Sequence, residues 1–407
     1  MTSGTELSKH ASGRVATSDD SSASPPSAPA PAVQVAADLR HAVTRRVRAL
    51  GPGLITGAAD DDPSGIATYS QAGAAYGYGL LWTALVTFPL MAAVQLMCAR
   101  LGRVAGQGLA CVLRRHYPTW VLWFACALLI VANTVNIAAD LGAMAAAGHL
   151  LTGIPSVWFL PPITIALLVL LAYARYARIA AIFKWLTLTL FAYVGAAFLA
   201  RPNWLEVVRG TFTPHVTVTR DYVLTLVAIL GTTISPYLFF WQAATEVEED
   251  AAERATTRAP RARGLARRLR AVRDDVLTGM LVSNLVMYFI ILTAGATLHR
   301  AGQTEVETAQ QAASALGPLA GQAASLLFAM GLLGTGLLGV PVLAGSAAYA
   351  IAEAASWRRG MDYTPSTASK FYAVVAIGLL VGMAIDLLGV NPMRLLFWSA
   401  CKRRQVS

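Results

Sequence analysis

GPGLITGAADDDPSGIATYSQAGA, residues 51 to 74, is apolar toward both ends and carries Asp60, Asp61, Asp62 and Pro63 in its middle. A stretch of this hydropathy suits a bilayer. A carboxylate at bilayer depth nevertheless costs about +2.5 to +3.5 kcal/mol even on a lenient insertion scale, so it is rarely accidental. Proline removes a backbone donor and clashes with the preceding turn, and Asp62, just before it, is biased away from the α region. The pattern predicts a membrane helix broken at Asp62–Pro63. LTLVAILGTTISPYLFFWQAA, residues 224 to 244, repeats it with Thr232, Thr233, Ser235 and Pro236 at the centre. Paired broken helices are the sequence pointer to a carrier whose site lies between them.

Composition agrees with a membrane protein. The 407 residues are 56% hydrophobic and 13% charged, with mean hydropathy +0.54, against about 25% charged in soluble domains. Cys98, Cys111, Cys126 and Cys401 show neither metal spacing nor a paired framework and read as small apolar fillers. The net charge of +10 does not indicate nucleic acid, because the basic residues sit between apolar segments rather than along one face. The densest run, RAPRARGLARRLRAVR at 258–273, has no interleaved aromatics and reads as a topology anchor.

Residues 1–38 are rich in Ser, Ala and Pro and read as a disordered tail without a signal peptide. Residues 39–50 form a basic amphipathic lead-in, and 51–407 the transmembrane domain. Apolar segments of spanning length fall near 51–73, 78–99, 119–149, 156–173, 179–199, 222–244, 276–298, 321–354 and 370–390. A tenth begins at Asn391 and meets Lys402, Arg403 and Arg404 after about ten apolar residues, about half of what a 30 Å core needs. The expectation is therefore nine complete spans and a truncated tenth, with a basic cytoplasmic loop over 245–275. Arg100, Arg103, Arg114, Arg115, Arg175, Arg178, Lys184, the 254–273 arginines, Arg358, Arg359 and Lys370 share one side, against Arg201, Arg209, Arg220 and Arg300 on the other. The positive-inside rule then makes the amino terminus cytoplasmic, in a bacterial-type inner membrane.

The chemistry concentrates at the breaks. An unwound stretch frees carbonyls such as those of Ala59 and Asp60, and a carboxylate beside free carbonyls is a hard-oxygen site suited to magnesium, calcium or manganese. In the second break the Thr232 carbonyl is available, unless the segment is only a proline kink patched by Thr and Ser. Asp140, preceded at helical spacing by Asn133 and Asn136, suggests either a water-lined face and proton path or a polar bond between helices. Glu353 and Asp386 lie near predicted helix ends, where solvation is cheap, and receive no role. His116, His149, His215 and His299 fall in or near loops.

These residues carry a resemblance. The stretch from Gly51 through Trp82 resembles the first broken helix of the natural resistance-associated macrophage protein (Nramp) family of divalent metal transporters, whose motif there is Asp-Pro-Gly-Asn followed by Gln-Ala-Gly. It continues through AADLGA in the third span and GTTISPYLFFWQA in the sixth, over residues 45 to 400. The resemblance implies an all-α, LeuT-like fold of inverted repeats, 51–199 and an incomplete 222–400. It also implies a metal site in which Asp62 matches the ligand aspartate and Ala59 and Thr232 the carbonyl ligands. Gly65 stands where the family has asparagine and Ser235 where it has methionine. Tyr237 and Gln242 replace histidines, and Ala143 replaces a glutamate. Without the thioether the site loses its preference for softer ions and is similar to the magnesium-transporting offshoot of the family. Asp140, Tyr237 and Gln242 are what remains of a proton or water path.

The expected function is a secondary divalent-cation carrier, with the metal as cargo, no cofactor, no enzymatic activity, and the ion and the bilayer rather than nucleic acid as partners. The alternatives are an amino-acid or organic-solute symporter of the same fold and a non-transporting remnant. An aspartyl protease using Asp62 and Asp140 needs that pair about one hydrogen bond apart.

Overall fold

The computed structural model describes residues 52–173, 188–214, 216–256, 261–306, 309–317, 321–361 and 363–389. The tail 1–38, the lead-in 39–50, the start of the 179–199 segment, the middle of the 245–275 stretch and the tenth segment from Asn391 lie outside them. Among the described residues all regular structure is helical.

The first broken segment is two helices, α1 (Pro52–Asp60) and α2 (Pro63–Tyr76). Then follow α3 (Thr83–Ala105), α4 (Leu109–His116), α5 (Thr119–Thr152), α6 (Leu160–Tyr173), α7 (Ala192–Leu199) and α8 (Trp204–Phe212). The second broken segment is α9 (Arg220–Thr233) and α10 (Pro236–Thr256). The chain continues as α11 (Arg261–Ala294), the short α12 (Ala309–Ser314), α13 (Ala324–Ala354) and α14 (Ser369–Leu387). Among the described residues seven helical stretches are long and apolar enough to cross a membrane. Each overlaps one of the expected apolar segments; the broken first segment is two shorter helices, and the fifth is described only from Leu188. One expectation changes. The 245–275 stretch is not a loop at its ends, because α10 runs to Thr256 and α11 starts at Arg261.

Local chemistry sets the boundaries. Asp62 caps α2 with Pro63 in its first turn, where the missing N–H is no loss. Gly106 and Gly153 end α3 and α5 in the left-handed region, at φ 62° and 76°, where a side chain would be strained. The surface inverts the soluble pattern. On α5, Trp120, Phe124, Leu128 and Val131 lie one turn apart and are each more than half exposed, the apolar stripe of a helix facing lipid.

The helices pack in two groups. α13 and α14 lie along α5, and α6 touches α5 and α14. In the other group α11 packs against α1, α2 and α3, and α10 against α3. Contacts in the second group are backbone-close. A Cβ at Gly57 would fall 2.3 Å from the Gly279 carbonyl oxygen, and one at Gly73 would fall 2.4 Å from that of Ile291. Both partners belong to α11, which thereby holds the first segment on either side of its break.

Candidate metal centre

Pro63 denies Asp62 a helical conformation, and Asp62 takes φ −66° and ψ 167°. Its Oδ1 accepts from the Ser64 hydroxyl at 2.6 Å and the Gly65 amide at 2.7 Å, satisfying donors that a helix start leaves open. Across the gap the Tyr237 hydroxyl lies 3.4 Å from Asp62 Oδ2 and 3.2 Å from the Ala59 carbonyl oxygen, so one proton serves two acceptors. Asp140 arrives from α5. Its Oδ1 accepts from the Ser64 amide at 3.3 Å, and its Oδ2 has no hydrogen-bond partner among the described residues.

α13 borders this group with a residue that has no side chain. A Cβ built on Gly339 would lie 3.1 Å from Asp62 Cβ, 3.6 Å from Asp140 Oδ2 and 3.8 Å from the Ala59 carbonyl oxygen. Gly339 therefore lets α13 pass close to the Asp62 side chain, Asp140 and the Ala59 carbonyl, and a methyl group there would press on Asp62. Asp62, Asp140 and Ala59 are all buried. Among the described residues no arginine, lysine or histidine ion-pairs with either carboxylate. Buried carboxylates without counter-charge are costly, and a hard cation is the partner their oxygens suit. Among the described residues no group of three or more His, Cys, Asp or Glu side chains is placed to hold a metal ion, so any ion here takes part of its coordination from carbonyls, hydroxyls or water.

The second break sits opposite but is differently occupied. α9 ends at Thr233, Ile234 takes φ −107° and ψ 61°, and Pro236 starts α10. The Ser235 hydroxyl donates to the Thr232 carbonyl at 2.6 Å and lies 2.9 Å from that of Gly231. The Thr232 carbonyl, expected to be free, is thus already engaged, because the serine returns to its own helix to satisfy groups released by the proline. Among the described residues no hydrogen bond joins Thr232 or Ser235 to Asp62 or Asp140. Gly65 lets the two breaks approach, since a Cβ there would fall 3.2 Å from Thr232 Cγ2.

Other expected residues go elsewhere. Gln242 belongs to a separate buried chain in which it accepts from Thr56 Oγ1 at 2.7 Å and donates to Glu246 Oε1 at 2.8 Å. Arg103 Nε meets Glu246 Oε2 at 2.5 Å, and Gln95 Nε2 meets Gln242 Oε1 at 3.3 Å. The polar stripe of α5 divides. Asn133 donates to the Leu343 carbonyl and the Ser346 hydroxyl, both at 2.8 Å, so it is a bond between helices, while Asp140 faces the break. Glu353 is corrected outright. It is 2% exposed, accepts from the Ala110 and Cys111 amides at 3.0 and 3.4 Å, and lies 3.4 Å from Arg359 Nε. It caps α4 rather than meeting solvent, and burial beside that carboxylate pushes the Cys111 thiol up. Ser64 and Gly339 were not singled out from the sequence. A glycine inside the apolar run GLLGV reads as helix packing, and nothing local distinguishes it.

Comparison with known proteins gives one consistent result. The family profile described as natural resistance-associated macrophage protein-like matches residues 53–402. The divalent metal cation transporter MntH of Erwinia tasmaniensis is 30% identical over 303 residues, 71% of this chain and 68% of that protein. MntH of Deinococcus radiodurans is 31% identical over 301 residues, 72% and 66% respectively. Among solved structures, the Eremococcus coleocola manganese transporter superposes with a TM-score of 0.67 at 18% identity, over 86% of this chain and 74% of that one. Mhp1, a nucleobase-cation-symport-1 family transporter in a closed conformation, superposes at 0.58 with 15% identity, over 86% and 75%. At such identities the structures establish a shared fold, the LeuT-like arrangement.

Proposed function

This chain belongs to the Nramp family, and on that footing we propose that it carries a hard divalent cation, magnesium or manganese, by alternating access at the space between Asp62, Asp140 and the Ala59 carbonyl. The observation that carries the reading is that space itself. It lies where two buried carboxyl groups and the Ala59 carbonyl come together beside Gly339, and among the described residues no arginine, lysine or histidine ion-pairs with either carboxyl group. Its relatives MntH are named divalent metal cation transporters, and its structural neighbour is named a manganese transporter. The absence of a thioether at Ser235 and the lack of a closed cage of side-chain ligands favour an ion that retains part of its hydration, which is magnesium's habit.

Orientation follows the arginines. The end of α3 that carries Arg103 and the start of α11 that carries Arg268 face the cytoplasm. The first segment is tied at that end, since the Gly53 amide donates to Asp275 Oδ2 at 2.7 Å and Thr56 to Gln242. Release of the ion inward requires α1 to leave those contacts.

Calorimetry on the purified protein against magnesium, manganese, calcium and zinc tests the reading, with uptake measured in vesicles alongside. Asp62→Asn and Asp62→Ala abolish binding and transport while the protein still inserts and folds. Wild-type transport by folded Asp62→Ala places the site elsewhere, and competition by amino acids instead of metals assigns the fold an organic solute.

A further inference from the structure

Asp60 and Asp61 are not used by the centre just described, and both turn to a different helix. The Ser283 hydroxyl of α11 lies 2.5 Å from Asp60 Oδ2 and 3.4 Å from Asp61 Oδ1. A hydroxyl has one proton to donate, and the shorter distance assigns it to Asp60, which leaves Asp61 without that donor. The second carboxylate oxygen of Asp60 is buried and has no hydrogen-bond partner among the described residues, although Asp60 itself is 0% exposed and Asp61 3%. No arginine, lysine or histidine among the described residues pairs with either.

Charge balance makes this arrangement informative. Asp60, Asp61, Asp62 and Asp140 are all buried around one break. A single divalent ion at the proposed Asp62–Asp140 centre offsets two carboxylate charges, so Asp60 and Asp61 stay ionised only beside a second cation and otherwise hold protons. An uncompensated buried carboxylate is a large cost, and the second Asp60 oxygen is buried without a hydrogen-bond partner among the described residues. Two carboxylates and a hydroxyl, with water completing the shell, form an all-oxygen donor set of hard character.

We propose that Asp60, Asp61 and Ser283 form a second cation site, separate from the Asp62 centre and lying between the first break and α11, that takes a hard divalent ion such as magnesium. Occupation draws the α1 end of the break and α11 together around one charge.

The test is magnesium titration of the purified full-length protein, stripped of metal in a sodium-free detergent buffer, with sodium titrated separately. The wild type is expected to bind two magnesium ions. Asp60→Asn combined with Asp61→Asn removes one binding event and keeps the other, whereas Asp62→Asn removes the other. Ser283→Ala, which takes away only one hydroxyl and serves if the double variant fails to fold, weakens one event by about tenfold and spares the second. One magnesium ion per wild-type chain, unchanged by Ser283→Ala or by the folded double variant, overturns the second site. A sodium-binding event lost in those variants while magnesium stoichiometry stays the same overturns its divalent character. Indifference to Asp62→Asn counts against the proposed function instead, so the two failures are distinct.

Discussion

The hydroxyl of Tyr237 lies 3.2 Å from the carbonyl oxygen of Ala59, so the start of α10 is hydrogen-bonded to the end of α1 across the space between the two breaks. The same carbonyl is a proposed ligand. A carbonyl oxygen can accept both the ion and the tyrosine proton, but an ion seated on it removes the need for that proton, which is its hydrogen-bond partner in this structure.

Tyr237→Phe tests that exchange. Leaving a buried carbonyl unpaired costs about 1 to 3 kcal/mol, and the cost falls on the metal-free protein alone. The melting temperature without metal should drop, the value at saturating magnesium should hold, and the interval between them should widen. Thermal melts of both proteins with and without magnesium measure this. An equal drop in both conditions assigns the hydroxyl a purely structural role.

Gly339→Ala separates stability from binding. In an ordinary helix the exchange stabilises by about 0.8 to 1.0 kcal/mol. Here the new methyl stands 3.1 Å from Asp62 Cβ and 3.6 Å from Asp140 Oδ2, inside the proposed ion space. The variant should fold with nearly unchanged melting temperature and bind magnesium about tenfold more weakly. Unaltered affinity in calorimetry would move the ion away from α13.

Installing a soft ligand should change selectivity. Ser235→Met supplies a thioether, and with Gly65→Asn it should shift preference toward manganese, iron or cadmium. The asparagine carries its own strain, since its Cβ must fit 3.2 Å from Thr232 Cγ2. Competition profiles of Ser235→Met alone and of the pair distinguish the effects. An unchanged profile in both folded variants means that neither position faces the ion.

Proton movement should be weakly coupled to metal uptake. Tyr237, Gln242 and Ala143 occupy the positions where the family resemblance places titratable groups, and Gln242 is committed to Thr56 and Glu246. Vesicles loaded with a pH-sensitive dye report the coupling directly. Strong metal-driven acidification that vanishes in Asp140→Asn would contradict the prediction and make Asp140 the relay.

Both breaks were legible because proline acts locally. Pro63 and Pro236 disrupt whatever helix contains them, so Asp62 and Ser235 could be placed without any tertiary information. The spans were legible for a similar reason, since hydropathy over about twenty residues is a property of the segment itself. Partners across the fold were not. Glu353 looks solvent-accessible near a helix end and becomes a buried cap only because the start of α4 packs onto it. Gln242 sits six residues past Pro236, and whether it reaches the ion or Thr56 depends on how α10 lies against α1 and α3. Gly339 acts by leaving room, and the value of a vacancy depends on its neighbours.

The two close approaches to α11, at Gly57 and Gly73, have a mechanical consequence. They act as rivets on either side of the break, one on each arm of the first segment. Asp62 rides with α2, because its carboxylate is locked to Ser64 and Gly65, whereas Ala59 rides with α1. The pivot between the arms falls at Asp61. The two proposed ligands of one ion thus sit on opposite levers, and any swing of α1 away from α11 would carry off the carbonyl while the carboxylate stays behind. Opening the gate and dismantling the site are then a single movement, and an intact coordination sphere cannot coexist with a displaced first arm.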